Sequence, residues 1–261
     1  MKLVEPKVFH MAQTTLDHSG LQAYLDAIGV PDWITDAPSD AEKLVEVGGR
    51  GCYRSFEPGL NKNVTKVREG NQPYLLNILR SKHGAVIEHA YDTYVFLDCS
   101  RVLTHELVRH RISNFSQESL RFVRLDALKC WYPAIFEDHP KHDEIMAEWS
   151  ASFQEDEDRQ VRLATLLELD KLDFTDKKKL TSAMRRMAPL GLATMIMYTS
   201  NHRGLRYVIE QRTSRHAEEE IRLVFNAVFE DLHKRYPNLY QDAAVKFVDG
   251  LNEVTFENSK I

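Results

Sequence analysis

The chain has 261 residues, 43% hydrophobic and 28% charged, a balance that supports a buried core and excludes a mainly disordered protein. Its formal net charge of -5 and pI near 6.1 exclude a strongly basic nucleic-acid scaffold, so any anion site must be local. Mean hydropathy is -0.42, and no apolar run approaches the roughly 20 residues of a membrane helix.

In chain order, the first seventy residues read as short elements and loops, because Gly48, Gly49, Gly51, Pro58 and Gly59 interrupt any long period. Residues 73–83 predict a helix: Leu75, Leu76, Ile78 and Leu79 recur at helical spacing, Pro73 suits its start and Gly84 its stop. Residues 91–98 predict a strand with Tyr91, Thr93, Val95 and Leu97 on one face. Ser100 is a cap for a helix from Arg101 to about Arg111, with Leu103 and Leu107 inward. Ile145, Trp149 and Phe153, then Val161, Leu163, Leu166 and Leu167, predict one long helix or two abutting ones. A further helix is expected over 176–187, ahead of Pro189. Residues 190–212 also read as helical, with Gly204 a weak point. The last helix is expected from near Ser214, with Ile221, Val224, Phe225, Val228, Phe229 and Leu232 as its buried stripe. The sum is an α+β fold, mainly helical with a small central antiparallel or mixed sheet, and one domain over 1–261.

Cys52, Cys99 and Cys130 lack the paired spacing of zinc or redox sites, and the first sixteen residues carry Glu5, Lys7 and His10 where a secretory signal is apolar. Reduced thiols in a cytoplasmic protein are expected. Residues 101–124 place Arg101, His105, Arg109, His110, Arg111, Arg121 and Arg124 against two acids, Glu106 and Glu118. A second group, Arg185, Arg186, Arg203, Arg206, Arg212 and Arg215, lies among apolar helical residues. Guanidinium groups at such positions point to a small anionic ligand. The alternative is solvated helix faces with surface ion pairs.

Neighbours on a helix are about 100° apart, so Arg109 and Arg111 point nearly opposite ways if the helix continues through them. Either the helix ends there, or the side chains serve different ligands or subunits. The following run, 112–121, is dense in hydroxyl, amide and carboxylate groups and reads as a polar loop able to bind sugar, phosphate or a base edge. His105 and His110 are five apart, not the four that keep two zinc ligands on one face, so no metal site is expected. Gly49 to Arg54 lacks the third glycine of a dinucleotide fingerprint, and no P-loop string occurs.

Arg109-His110-Arg111, seven residues, then Ser119 resembles the R-H-R-x7-S signature of flavin-dependent thymidylate synthases. Other segments resemble that family in the same order: Arg50-Gly51-Cys52-Tyr53-Arg54-Ser55, His83-Gly84-Ala85-Val86-Ile87-Glu88-His89, Thr104-His105-Glu106-Leu107, Asn201-His202-Arg203, and Arg212 with His216 and Glu220 beyond. The resemblance implies methylation of dUMP to dTMP, with methylenetetrahydrofolate as carbon donor and FAD reduced by NADPH. It also implies a homotetramer with active sites built at subunit interfaces, and no nucleic-acid or membrane partner.

Carried over position by position, it implies FAD contacts from His83, Ala85, Glu88, Arg109, His110, Arg111, Gln117, Asn201 and Arg203. Around dUMP it implies Glu106, Arg109, Gln117, Ser119, Arg121, Arg185 and Arg212. Arg212 is the catalytic candidate, because a guanidinium opposite N3 and O2 stabilises negative charge building on the uracil ring. Arg121 and Arg185 suit the phosphate, and Ser119 a phosphate or sugar contact. Phe122, Asn114 and Tyr207 depart from the residues common at those places, and Tyr207 stands where an asparagine often touches FAD. Two other readings stay open: a flavin or nucleotide binder of this fold without methyl transfer, and a non-catalytic nucleotide- or RNA-binding module.

Overall fold

The computed structural model of the chain describes residues 1–259. Its first seventy residues are more regular than their glycines imply, with strands β1 (Lys2–Leu3) and β2 (Lys7–Gln13) followed by helices α1 (His18–Ile28) and α2 (Asp40–Tyr53). Gly48, Gly49 and Gly51 lie inside α2. A Cβ on Gly49 would sit 2.7 Å from Tyr74 Oη and 3.2 Å from Ile78 Cδ1, both on α3 (Asn71–Arg80). Close approach of two helices, not a chain break, explains that glycine; the contact offsets a helix penalty of about 1 kcal/mol.

After α3, Gly84 opens a 3₁₀ turn (Gly84–His89) that leads into β3 (Tyr91–Ser100). Asp92, Tyr94 and Phe96 of β3 are buried, while Tyr91, Thr93, Val95 and Leu97 share the more open face. Ser100 caps α4 (Arg101–Leu107), its side chain accepting from Leu103 N–H, and Leu103 and Leu107 are buried as expected. The helix stops at Leu107, one turn short of Arg111. Part of the expected polar loop is strand β4 (Asn114–Gln117).

Strand β5 (Lys129–Cys130) pairs in parallel with β1. Helices α5 (Ala134–Glu137), α6 (His142–Leu166) and α7 (Phe174–Met184) follow, and α6 is a single helix. The expected helix over 190–212 is corrected. Residues Ala193–Asn201 form strand β6, and only His202–Arg212 form a helix, α8. Ala193–Asn201 alternates in burial and is hydrogen-bonded on both edges, to β3 and β4, which its β-branched and aromatic residues suit. Helix α9 (Glu219–Arg235) buries the predicted stripe from Ile221 to Leu232, starting later than Ser214, and a hairpin of β7 (Ala243–Val248) and β8 (Leu251–Phe256) follows.

The central sheet has the order β2-β3-β6-β4, every pair antiparallel. Tyr94 opposes Tyr198 and Phe96 opposes Ile196, and Phe96 and Tyr198 pack edge-on against Phe225 of α9 at 5.9 and 6.1 Å between ring centroids. The other face carries the row Phe9, Val95, Met197 and Ser116 across four strands, with Phe9 and Met197 exposed.

Helix α9 also fixes α4. The buried Glu220 carboxylate accepts from Ser100 N–H at 2.6 Å and from the Ser100 hydroxyl. Burial pushes the Glu220 carboxyl up to about 7, outweighing the lowering by those hydrogen bonds. Since the folded value exceeds the model value of 4.5, this group's contribution is full below about 4.5 and is lost as pH rises through about 7. The expected loss is about 3 kcal/mol across that window. Glu220→Gln should remove that slope in urea midpoints measured from pH 4.5 to 7; an unchanged slope assigns it elsewhere.

Candidate functional site

Asn201 caps α8, its Oδ1 accepting from Gly204 N–H at 2.8 Å. From that start, residues 203, 204, 207, 208, 211 and 212 share one helix face by their three- and four-residue spacing. Across from them, the chain leaving α4 turns: Arg109 N–H reaches Glu106 O at 3.3 Å and His110 N–H reaches Leu107 O at 3.1 Å. Between the turn and the helix lies a cavity of about 800 Å³, lined by Glu88, Arg109, His110, Arg111, Ile112, Ser113, Asn201, Arg203, Gly204, Tyr207, Val208, Gln211, Arg212 and Ser259. The early end of α4 resolves the directional conflict, because Arg109, His110 and Arg111 leave a turn and meet one cavity.

Gly204 brings the two walls together. A Cβ there would lie 2.5 Å from Ser200 Oγ and 3.3 Å from Ile112 O, and Ser200 Oγ already donates to Ile112 O at 3.0 Å. Arg212, at the end of α8, donates from Nε to His110 Nε2 at 2.8 Å and to Glu106 through two nitrogens, at 2.7 Å to Oε2 and 3.0 Å to the backbone oxygen. Nε2 of His110 is therefore an acceptor and the ring is neutral. Burial first, then the Arg212 charge, lowers its pKa to about 4. Arg203 pairs with Glu88. Among the described residues, Arg109 and Arg111 have no side-chain ion pair or hydrogen bond.

The structure thus collects Glu88, Arg109, His110, Arg111, Asn201, Arg203 and Arg212 on one cavity, with Glu106 behind Arg212. It does not bring every expected residue there. Ala85 is exposed on the 3₁₀ turn. His83 packs edge-on with Tyr53 at 5.6 Å, and its buried Nδ1 has no partner among the described residues. Gln117 donates to Thr104 Oγ1 at 3.1 Å. Ser119 and Arg121 follow the Gln117 end of β4, which faces Ile196, whereas the cavity is at the Asn114 end, which faces Thr199. Arg185 is exposed in the turn after α7. The motif reading missed Tyr207, Gly204 and Gln211 as cavity residues, although their spacing from Arg203 carried the signal. Among the described residues, no group of three or more His, Cys, Asp or Glu side chains is placed to hold a metal ion, and no helix is long and apolar enough to cross a membrane.

The family model described as "Thymidylate synthase complementing protein" matches residues 34–238. The chain is 34% identical over 228 residues to a flavin-dependent thymidylate synthase of Mycobacteroides abscessus, covering 85% of this chain and 88% of that protein. It is 32% identical over 250 residues to one from Mycobacterium marinum, covering 94% and 96%. Among solved structures, UMP/dUMP methylase PolB from Streptomyces cacaoi, bound with 5-Br UMP, superposes with a TM-score of 0.63 at 15% identity over 92% of this chain and 95% of that one. Thymidylate Synthase X from Helicobacter pylori, with FAD and dUMP, superposes with a TM-score of 0.57 at 18% identity over 91% and 98%. The two structures share the fold, while the sequence matches carry the assignment: this chain belongs to the flavin-dependent thymidylate synthase family.

Proposed function

We propose that the protein converts dUMP to dTMP, taking the carbon from methylenetetrahydrofolate and the reducing equivalents from NADPH, with FAD seated between the Arg109-His110-Arg111 turn and α8. The observation that carries this reading is the convergence of that turn, the Asn201 cap and Arg203 on one cavity of about 800 Å³. Unpaired Arg109 and Arg111 suit a diphosphate, and Tyr207, Val208 and Ile112 supply apolar surface for a flat ring. Bound there, FAD supplies the hydride-transfer chemistry that side chains lack.

The chain's own residues bind and polarise. Arg212, fixed by Glu106 and His110, is assigned to N3 and O2 of the pyrimidine, where its charge offsets the negative charge that makes C5 nucleophilic. Gln117, Ser119, Arg121 and Arg185 are assigned to the sugar and phosphate of dUMP, and His83 and Ala85 to FAD. These residues are away from the cavity within one chain, which favours a site completed by a second copy. The outer sheet face, with exposed Phe9 and Met197, is a surface such a copy can cover. A homotetramer in the cytoplasm is part of the proposal, with cysteines Cys52, Cys99 and Cys130 unpaired.

The test is one preparation of purified protein. It should show flavin absorbance, a mass four times the 30.2 kDa chain, and dUMP-dependent NADPH oxidation that yields dTMP when methylenetetrahydrofolate is added. Failure to take up FAD overturns the reading. FAD uptake without dTMP leaves a flavin binder of this fold that lacks methyl transfer.

A further inference from the structure

We infer that Tyr207 is the aromatic wall on which the isoalloxazine ring of FAD stacks, an assignment that rests on the functional reading above. Tyr207 is 54% exposed and lines the cavity. It stands mid-face on α8, one turn beyond Arg203 and one turn before Gln211. A large aromatic side chain open at a cavity wall offers a broad apolar plane.

The surface next to Tyr207 is flat for a physical reason. Gly204 precedes it by three residues on the same face, and α8 is pressed there against Ser200 Oγ and the Ile112 carbonyl, too close for a Cβ. Bare backbone therefore lies beside the phenol ring. Tyr207 and Gly204 together form a slot with an aromatic side, a shape that takes a planar ring system and not a branched ligand.

The ring's tilt is also set. His110 meets Tyr207 edge-to-face, with centroids 6.0 Å apart and planes at 72°, and His110 is itself held by the 2.8 Å bond from Arg212 Nε. Because that bond makes the imidazole a neutral acceptor, Tyr207 packs against an uncharged neighbour. The same link selects which of the two FAD ring systems occupies the slot. Arg212 is the residue assigned to the pyrimidine, and hydride transfer requires the flavin ring to touch that pyrimidine at about 3–3.5 Å. The ring beside His110 and Arg212 is therefore isoalloxazine, and Arg109 and Arg111 are left for the diphosphate.

The experiment titrates FAD into flavin-depleted protein and reads both affinity and flavin fluorescence, for wild type, Tyr207→Phe and Tyr207→Leu. A phenol stacked on photoexcited isoalloxazine quenches its emission by reversible electron donation; a phenyl ring stacks but quenches far less. Wild type should bind FAD with dim emission. Tyr207→Phe should bind within about twofold of wild type and be bright, and Tyr207→Leu should bind about tenfold more weakly and be bright. Tyr207 is exposed, so thermal unfolding should match across the three proteins and certify the fold. Tyr207→Leu that binds FAD as tightly and as dimly as wild type overturns the assignment. Wild type that takes up no FAD overturns the functional reading, and this inference with it.

Discussion

Arg212→Ala is expected to lower dTMP formation at least about a hundredfold while the protein still folds. The guanidinium has five N–H donors, and three are spent within the chain, on His110 Nε2, Glu106 Oε2 and the Glu106 backbone oxygen. Two N–H groups remain for a ligand, and the charge sits at the C-terminal end of α8, where the helix dipole favours a cation. Losing one preorganised donor to a developing anion costs about 10²–10³ in kcat. The same substitution frees Glu106 of its cation and removes the Arg212 charge that helps hold His110 near pKa 4, so the imidazole pKa rises, against burial that still lowers it. Arg212→Lys should fail as well, because a point charge on a flexible stem cannot span His110 and Glu106 as a planar fork does. Steady-state kcat with FAD occupancy from the spectrum tests the catalytic role, and an NMR titration of His110 tests the link. Near-normal turnover in Arg212→Ala removes the residue from the reaction.

How much of this was readable in the sequence depends on where the information lay. The α9 stripe from Ile221 to Leu232 repeats at helical period with polar residues between, so periodicity alone finds it. Ala193–Asn201 is the opposite case. A strand hydrogen-bonded on both edges in the middle of a sheet keeps apolar and small residues on both faces, and a short apolar run does not distinguish strand from buried helix. That error propagated: a helix running through Asn201 hides its role as the cap of α8, and with it the face of residues 203, 204, 207, 208, 211 and 212. In α2, three glycines read as breaks, and only the 2.7 Å approach of Tyr74 to Gly49 reveals packing. That contact is long-range, and no local pattern contains it.

For the site, residue types and spacing in the Arg109-His110-Arg111 segment identified the right chain segment. What they left open was geometric, namely whether α4 ends before Arg109. It ends at Leu107, and the three side chains converge. Gln117, Ser119, Arg121 and Arg185 were grouped with Arg212 by motif, yet β4 and β6 carry the two groups toward different ends of one ladder. A motif records order along the chain and says nothing about separation in space.

Asp92→Ala is expected to be the most destabilising single change, at about 3–5 kcal/mol, a large share of a domain's total of about 5–15 kcal/mol. Asp92 is 1% exposed, and its carboxylate meets His10 Nε2 at 2.6 Å, Tyr236 Oη at 2.8 Å and His202 Nε2 at 3.0 Å. One buried anion thus joins β2, β3, the first residue of α8 and the residue after α9. Burial acts to raise its pKa, but His202, then His10 and Tyr236, outweigh it, and the carboxyl ends below the ordinary value of 3.8. A depressed folded value gives stability that is present above about 3.8 and is lost as pH falls through the folded pKa. This sign is opposite to that of Glu220, so the two buried acids limit stability from opposite sides of the pH range. Asp92→Asn keeps one acceptor oxygen but turns an N–H toward an imidazole, so it should lower the urea midpoint at neutral pH and flatten the acid limb. His202 lies between Asn201 and Arg203, so the same variant should weaken FAD binding without touching the cavity. A neutral-pH midpoint equal to wild type shows that the donors around Asp92 find other acceptors and that the buried carboxylate is not what holds the sheet to α8.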